Sequence, residues 1–180
     1  SAGLRLNGAL SIAQTNSRWQ ELKRQATTAQ LYDVDIDILD SDTIKKRYPM
    51  MHTEDLKGGV LMSGDGAADP SGVTHMLAKA ARKGGAKIFE QSPVEKILIK
   101  NKRVHGVKVN GQIIECEYIV LATGMWSRQI GEKINVSIPL YPAEHFYVIT
   151  EPIEDLSKTL PVIRDFDSSV YFKEDAGKLL

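Results

Sequence analysis

Tyr118-Ile119-Val120-Leu121-Ala122-Thr123-Gly124-Met125-Trp126 is the stretch from which the fold class is read. An uninterrupted apolar run ends in a small residue, a hydroxyl and a glycine. Continuous rather than alternating apolar character marks a strand covered on both faces, the pattern of parallel sheets. Such sheets bind ligands beyond the carboxyl ends of their strands, where a glycine lets the ligand approach the backbone. Ala122 and Gly124 leave room for a ribose or a pyrophosphate. A helix from Met125 to Lys133 would aim its first amides at the same place. Taken singly, the stretch reads equally well as a strand ending in a turn.

The flanking sequence supplies the frame. Asp69 is a helix cap, Pro70 fills the first helical position, and Val73, Met76, Leu77, Ala80 and Ala81 recur with helical spacing until Gly84-Gly85. Ala86 to Glu90 then reads as a strand. Ser92-Pro93-Val94 opens a meander from Val94 to Cys116, turning near Asn101-Lys102 and at Asn110-Gly111. Downstream, strands are expected at Glu144 to Thr150, near Pro161 to Arg164, and at Val170 to Lys173, with another beginning at Lys178. At the start, Leu4 to Ala13 reads as a strand and Asn16 as the cap of a polar helix over 17–31. Val34 to Leu39 alternates as a half-buried strand, and Ser41 or Asp42 caps a short helix that Pro49 ends. Mixed strand and helix order around a parallel-type strand gives an α/β class with α+β admixture.

Composition bounds the function. Of 180 residues, 42% are hydrophobic and 26% charged, an ordinary globular balance that argues against disorder. The 23 basic and 23 acidic residues cancel, so no net field steers the chain onto nucleic acid or an anionic membrane. No apolar run approaches the roughly 20 residues needed to span a bilayer. One cysteine, Cys116, allows no internal disulfide, which fits a reducing compartment. Ser1-Ala2-Gly3 has none of the features of a secretory leader and reads as a cut within a longer polypeptide.

Few residues carry chemistry by type and position. His145 would share one strand face with Tyr147 and Ile149, where an imidazole can hold a proton near an amine; a lone strand histidine is more often a packed, structural one. Tyr171 presents a phenol from the strand at 170–173, able to orient an amine or a carboxylate, or simply packed. Trp126 sits two residues beyond Gly124, placed either to cover a nucleoside or to fill a domain surface. His52, His75 and His105 fit no metal spacing, and no metal site is expected. Gly-x-Gly-x-x-Gly is absent, because Gly64-Asp65-Gly66 lacks both the frame and the third glycine.

Taken in order, Asn7-Gly8-Ala9-Leu10-Ser11-Ile12-Ala13, Tyr48-Pro49, Gly64-Asp65-Gly66, Asp69-Pro70, Pro93-Val94, Ala122-Thr123-Gly124-Met125-Trp126, Ala143-Glu144-His145-Phe146-Tyr147 and Tyr171-Phe172-Lys173-Glu174 resemble the dimethylglycine/sarcosine dehydrogenase branch of the D-amino-acid-oxidase-like FAD-dependent oxidoreductases. The resemblance implies part of a two-dinucleotide-binding FAD domain interleaved with a mixed-sheet substrate domain. Residues 1–62 and 137–180 would belong to the substrate domain and 63–136 to the FAD domain. FAD is the implied cofactor, with Val94, Ala122, Thr123, Gly124 and Trp126 along its adenosine half. His145 and Tyr171 match positions that face the substrate, an N-methyl secondary or tertiary amine acid oxidised by hydride transfer. The alternatives are another flavin oxidase of the superfamily, or a non-catalytic scaffold subunit. The family's pyrophosphate glycines are missing, so an internal fragment, inactive alone, is expected. Tetrahydrofolate or an electron acceptor would engage segments outside this sequence. The implied compartment is bacterial cytoplasm or, as the alternative, the mitochondrial matrix.

Overall fold

The computed structural model describes residues 3–180. The chain divides into two compact units, one containing residues through Lys83 together with Tyr147–Leu180, the other Gly84–Phe146.

The first unit is built on a five-stranded mixed sheet. Its strands are β1 (Ala9–Ala13), β2 (Asp37–Leu39), β3 (Gly58–Met62), β7 (Val162–Asp165) and β8 (Val170–Phe172), in the order β2-β3-β1-β7-β8. β1 and β7 run parallel, and every other neighbouring pair is antiparallel. Alternation along β1 separates two cores. Leu10 and Ile12 join Leu39, Ile44, Leu56, Leu61, Leu156, Leu160 and Ile163 on one face. On the other, Ala13 and Val60 meet Leu22 and Ala26 of α1 (Asn16–Gln30), flanked by Trp19. Gly58, at φ 148°, admits the Trp19 ring, which a Cβ there would meet at 2.7 Å.

The caps of this unit differ in detail from expectation. Thr15, not Asn16, caps α1 by accepting from the Arg18 amide. Asp167, far along the chain, accepts from the Gln14 and Thr15 amides and fastens the helix entry to the β7–β8 turn. Asp40, rather than Ser41 or Asp42, caps α2 (Ser41–Arg47) through the Thr43 amide. Hydrogen bonding to Thr43 holds the Asp40 carboxyl below its ordinary range. In α3 (Pro70–Lys83), Asp69 accepts from the Ser71 and Gly72 amides as the sequence predicts, yet no residue of the helix is buried.

A hydrogen-bonded corner closes the unit. The short strands β9 (Glu174–Asp175) and β10 (Lys178–Leu179) form a hairpin, and Thr150 and Ile153 donate their amides to the carbonyls of Leu179 and Gly177. Glu174 is 2% exposed. It accepts from Arg5 Nη1 and the Gly177 amide, while Arg5 Nη2 donates to its carbonyl. The Gly177 amide pulls the Glu174 carboxyl below its usual value, burial opposes this, and Arg5 reinforces the depression.

The second unit holds the meander β4 (Val94–Lys100), β5 (Arg103–Val109) and β6 (Gln112–Glu115). Asn101, Lys102, Asn110 and Gly111 all take positive φ at its turns, the geometry that Asn and Gly tolerate. Gly124–Trp126 form a 3-10 turn that leads into α4 (Ser127–Glu132).

Three expected strands are not formed. Residues 86–90, 118–122 and 144–150 have no ladder partner among the described residues. Tyr118 and Val120 are more than four-fifths exposed, as is Phe146, while Ile119 and Leu121 are half-buried, so the apolar run at 118–122 is unpaired and only partly covered. A strand is stable only when its amides and carbonyls meet another strand's in a continuous ladder, and of these runs only the end residue Thr150 reaches one, at Leu179 of β10. The run that carries His145, Tyr147 and Ile149 is thus not part of a sheet, and all three side chains are exposed. The overall class stands: helices and a mixed sheet in α/β combination.

Candidate functional site

Tyr171 occupies the middle of β8 at the sheet edge, directly opposite Arg164 of β7. Residues opposed in an antiparallel pair lie on the same face, with Cβ atoms about 5 Å apart. Arg164 is itself opposed to Ser11 on β1, so a polar row runs Ser11, Arg164, Tyr171 across the sheet. The Arg164 guanidinium lies 3.6 Å from Asp65 Oδ2. Asp65 is fixed just past β3: its Oδ1 accepts from the Gly66 amide at 2.7 Å and its carbonyl from the Gly8 amide at 2.9 Å. Gly66 is confined, since a Cβ there would run into the Arg5 carbonyl oxygen. This row is not visible along the chain. In sequence Gly64-Asp65-Gly66 presents a glycine motif and Arg164 a strand end, and only strand register joins them to Tyr171.

The other selected residues all lie in the second unit. Val94 begins β4, exposed and opposite Val109. Thr123 shares a 2.9 Å hydroxyl contact with the buried Ser127, and its carbonyl accepts from the Trp126 amide. Ala122, Gly124 and Trp126 are exposed, and Thr123 is half-buried. Gly124 has φ 54°, and a Cβ built there meets nothing within 4 Å. His145 is exposed near the end of the unit. It thus falls in a different unit from Tyr171. A cleft of about 400 Å³ between α4 and residues 137–141 contains none of these residues; it is edged by the ion pair of Arg128 and Glu132. Among the described residues no group of acidic, histidine or cysteine side chains could hold a metal, and no helix is long and apolar enough to cross a membrane.

A family model described as DAO, FAD dependent oxidoreductase, matches residues 1–180. The chain belongs to this family. It is 35% identical over 173 residues to 4-methylaminobutanoate oxidase (formaldehyde-forming) of Paenarthrobacter nicotinovorans, covering 96% of this chain and 21% of that protein. It is also 35% identical over 172 residues to human mitochondrial sarcosine dehydrogenase, covering 93% and 19%. A mouse relative carries a different name, pyruvate dehydrogenase phosphatase regulatory subunit, at 31% identity over 96% of this chain and 20% of that one. The chain therefore spans about a fifth of the length of these curated relatives. Among solved structures, L-proline dehydrogenase from P. horikoshii superposes with a TM-score of 0.89 at 26% identity, over 98% of this chain and 48% of that one.

The family is FAD-dependent, and the residues at 122–126 suit a flat ligand edge. A left-handed glycine with open space at its Cβ position, next to an exposed indole, is a surface that a nucleoside can approach and a side chain would block.

Proposed function

We propose that this chain is part of an FAD-dependent oxidoreductase that oxidises an N-methyl secondary or tertiary amine acid of the sarcosine or dimethylglycine type. The observation that carries the reading is the 35% identity, over more than nine-tenths of the chain, to two proteins named for N-methyl amine substrates. When bound, FAD would accept a hydride from the carbon next to the amine nitrogen, leaving an imine that water hydrolyses. Residues 63–136 belong to the cofactor side and residues 1–62 and 137–180 to the substrate side. Val94, Ala122, Thr123, Gly124 and Trp126 hold the adenosine half. His145 and Tyr171 orient the amine, and His145 takes up its proton so that the nitrogen lone pair is free to expel hydride. The compartment is the bacterial cytoplasm, with the mitochondrial matrix as the alternative. Tetrahydrofolate or a protein electron acceptor would be engaged by segments beyond these 180 residues.

The test is a visible spectrum and a formaldehyde assay on the full-length protein. A yellow protein that releases formaldehyde from sarcosine or dimethylglycine supports the reading. Replacing His145 by Asn or Tyr171 by Phe should each lower the rate about 100-fold or more, the usual scale for a positioned proton-transfer group. Flavin reduction by D-amino acids or glycerol 3-phosphate alone would move the protein to another branch of the family. A second reading, a non-catalytic regulatory subunit, is favoured by the similarity to the phosphatase regulatory subunit. A colourless full-length protein that tolerates both substitutions would bring it forward.

A further inference from the structure

We propose that Asn110 is a site of spontaneous covalent modification, at which the Gly111 amide nitrogen closes on the Asn110 carboxamide, and that Glu95 sets the rate by holding that nitrogen's proton. The inference concerns the meander's own turn and does not depend on the oxidase reading.

The chain holds two Asn-Gly pairs, Asn7-Gly8 and Asn110-Gly111. In such a pair the glycine nitrogen reaches the asparagine Cγ because no Cβ crowds its approach. The nitrogen gives its proton to solvent and bonds to Cγ. The Cγ–Nδ2 bond breaks, ammonia leaves, and a succinimide remains. Water then opens the ring at either carbonyl to give aspartate or isoaspartate, and nothing is oxidised or reduced.

The first pair is locked. Asn7 Nδ2 donates to the Leu160 carbonyl. The buried Gly8 donates its amide to the Asp65 carbonyl at 2.9 Å, and its own carbonyl accepts from the Val162 amide at 3.0 Å. Its nitrogen cannot turn toward Cγ without breaking these bonds. Asn7 Oδ1 is buried with no donor against it, so nothing there would stabilise the charge that grows on this oxygen during attack.

The second pair is exposed at the tip of the β5–β6 hairpin, with φ 49° at Asn110 and 76° at Gly111. A Cβ at Gly111 would meet nothing within 4 Å, so the turn has room to move. Glu95 restrains it: the Gly111 amide donates to Glu95 Oε1 at 2.8 Å. A β-bulge brings Glu95 there. Val94 and Lys96 oppose Val109 and Lys108, which leaves Glu95 without a partner in β5, and a bulge re-aims the side chain it carries. Lys108 Nζ lies 3.4 Å from the other carboxylate oxygen. The Gly111 bond, ahead of Lys108, holds the Glu95 carboxyl below its ordinary range, so the group is charged near neutrality. A carboxylate on the Gly111 N–H opposes attack twice. The charge-assisted hydrogen bond must break, and the negative charge disfavours loss of the proton.

The experiment incubates the full-length protein in warm, mildly alkaline buffer as wild type, Glu95→Gln and Glu95→Ala. Conversion at each Asn-Gly pair is followed by peptide mass and by an isoaspartate-specific methyl-transfer assay, with the same proteins in urea as the unrestrained reference. In the folded wild type Asn110 should convert while Asn7 stays intact. Glu95→Ala should speed conversion at Asn110 about 10- to 100-fold, the loss of one hydrogen bond to a charged group. Glu95→Gln, which keeps an acceptor oxygen and loses the charge, should fall between. In urea both pairs should convert at similar rates in all three proteins. No conversion of Asn110 in any folded protein, or conversion of Asn7 as fast as Asn110, overturns the site. Equal rates at Asn110 in wild type and Glu95→Ala overturn the role of Glu95. A slower rate in Glu95→Ala does so too, since the carboxylate would then be acting as a general base. A rise at Asn7 in step with Asn110 would mean general loosening of the fold and overturns it equally.

Discussion

Gly124→Ala separates backbone strain from ligand contact, because the protein contains its own control. Gly124 has φ 54° and Gly111 has φ 76°, and a Cβ at either position meets nothing within 4 Å. Neither substitution causes a clash within the chain. Each forces alanine into the left-handed region, at a cost of about 1–2 kcal/mol. Gly124→Ala and Gly111→Ala should therefore lower the thermal midpoint of the full-length protein by similar amounts. Cofactor binding should part them. If the adenosine half of FAD lies against Gly124, the new methyl group stands where the ligand does, and overpacking of that kind costs about 1–3 kcal/mol. At about 1.4 kcal/mol per tenfold, the FAD dissociation constant rises about 5- to 100-fold in Gly124→Ala and not in Gly111→Ala. Titration of the apoprotein with FAD, followed by quenching of flavin fluorescence, reads this directly. Equal FAD affinity in the two variants would refute the placement of the cofactor along 122–126, whatever happened to the midpoints.

Two further outcomes concern the unit that carries Tyr171. Leu10 of β1 is fully buried, so Leu10→Ala should cost about 3–5 kcal/mol; urea unfolding followed by fluorescence of Trp19, which packs on the same sheet, should show a lowered midpoint. Glu174→Gln should destabilise the protein in a pH-dependent way. The folded carboxyl sits below its ordinary value of 4.5, so its contribution is fully present above that value and is lost as pH falls through the lower folded value. The gap between wild type and variant should be constant near neutrality and close on acidification below pH 4.5. A gap that widens with acid would mean that Glu174 is not held ionised by Gly177 and Arg5.

What is legible in the sequence is local, and what it hides is pairwise. Asp69-Pro70 and Asn110-Gly111 announce a cap and a turn because the required hydrogen bonds and dihedrals lie within a few residues, and both form as read. The runs at 86–90, 118–122 and 144–150 carry apolar, strand-compatible side chains, but a strand is completed by a ladder with a neighbour, and none forms among the described residues. The continuous apolar stretch therefore marks the family correctly while misreporting its local structure. The same distinction holds at the candidate site. Tyr171 can be chosen from its own strand, whereas Arg164 becomes visible only when register sets it opposite Tyr171. Glu174 is hidden for a like reason: its counter-ion, Arg5, lies 169 residues away. Polar groups far apart in sequence meet only when the fold brings them together, as strand register does for Ser11, Arg164 and Tyr171.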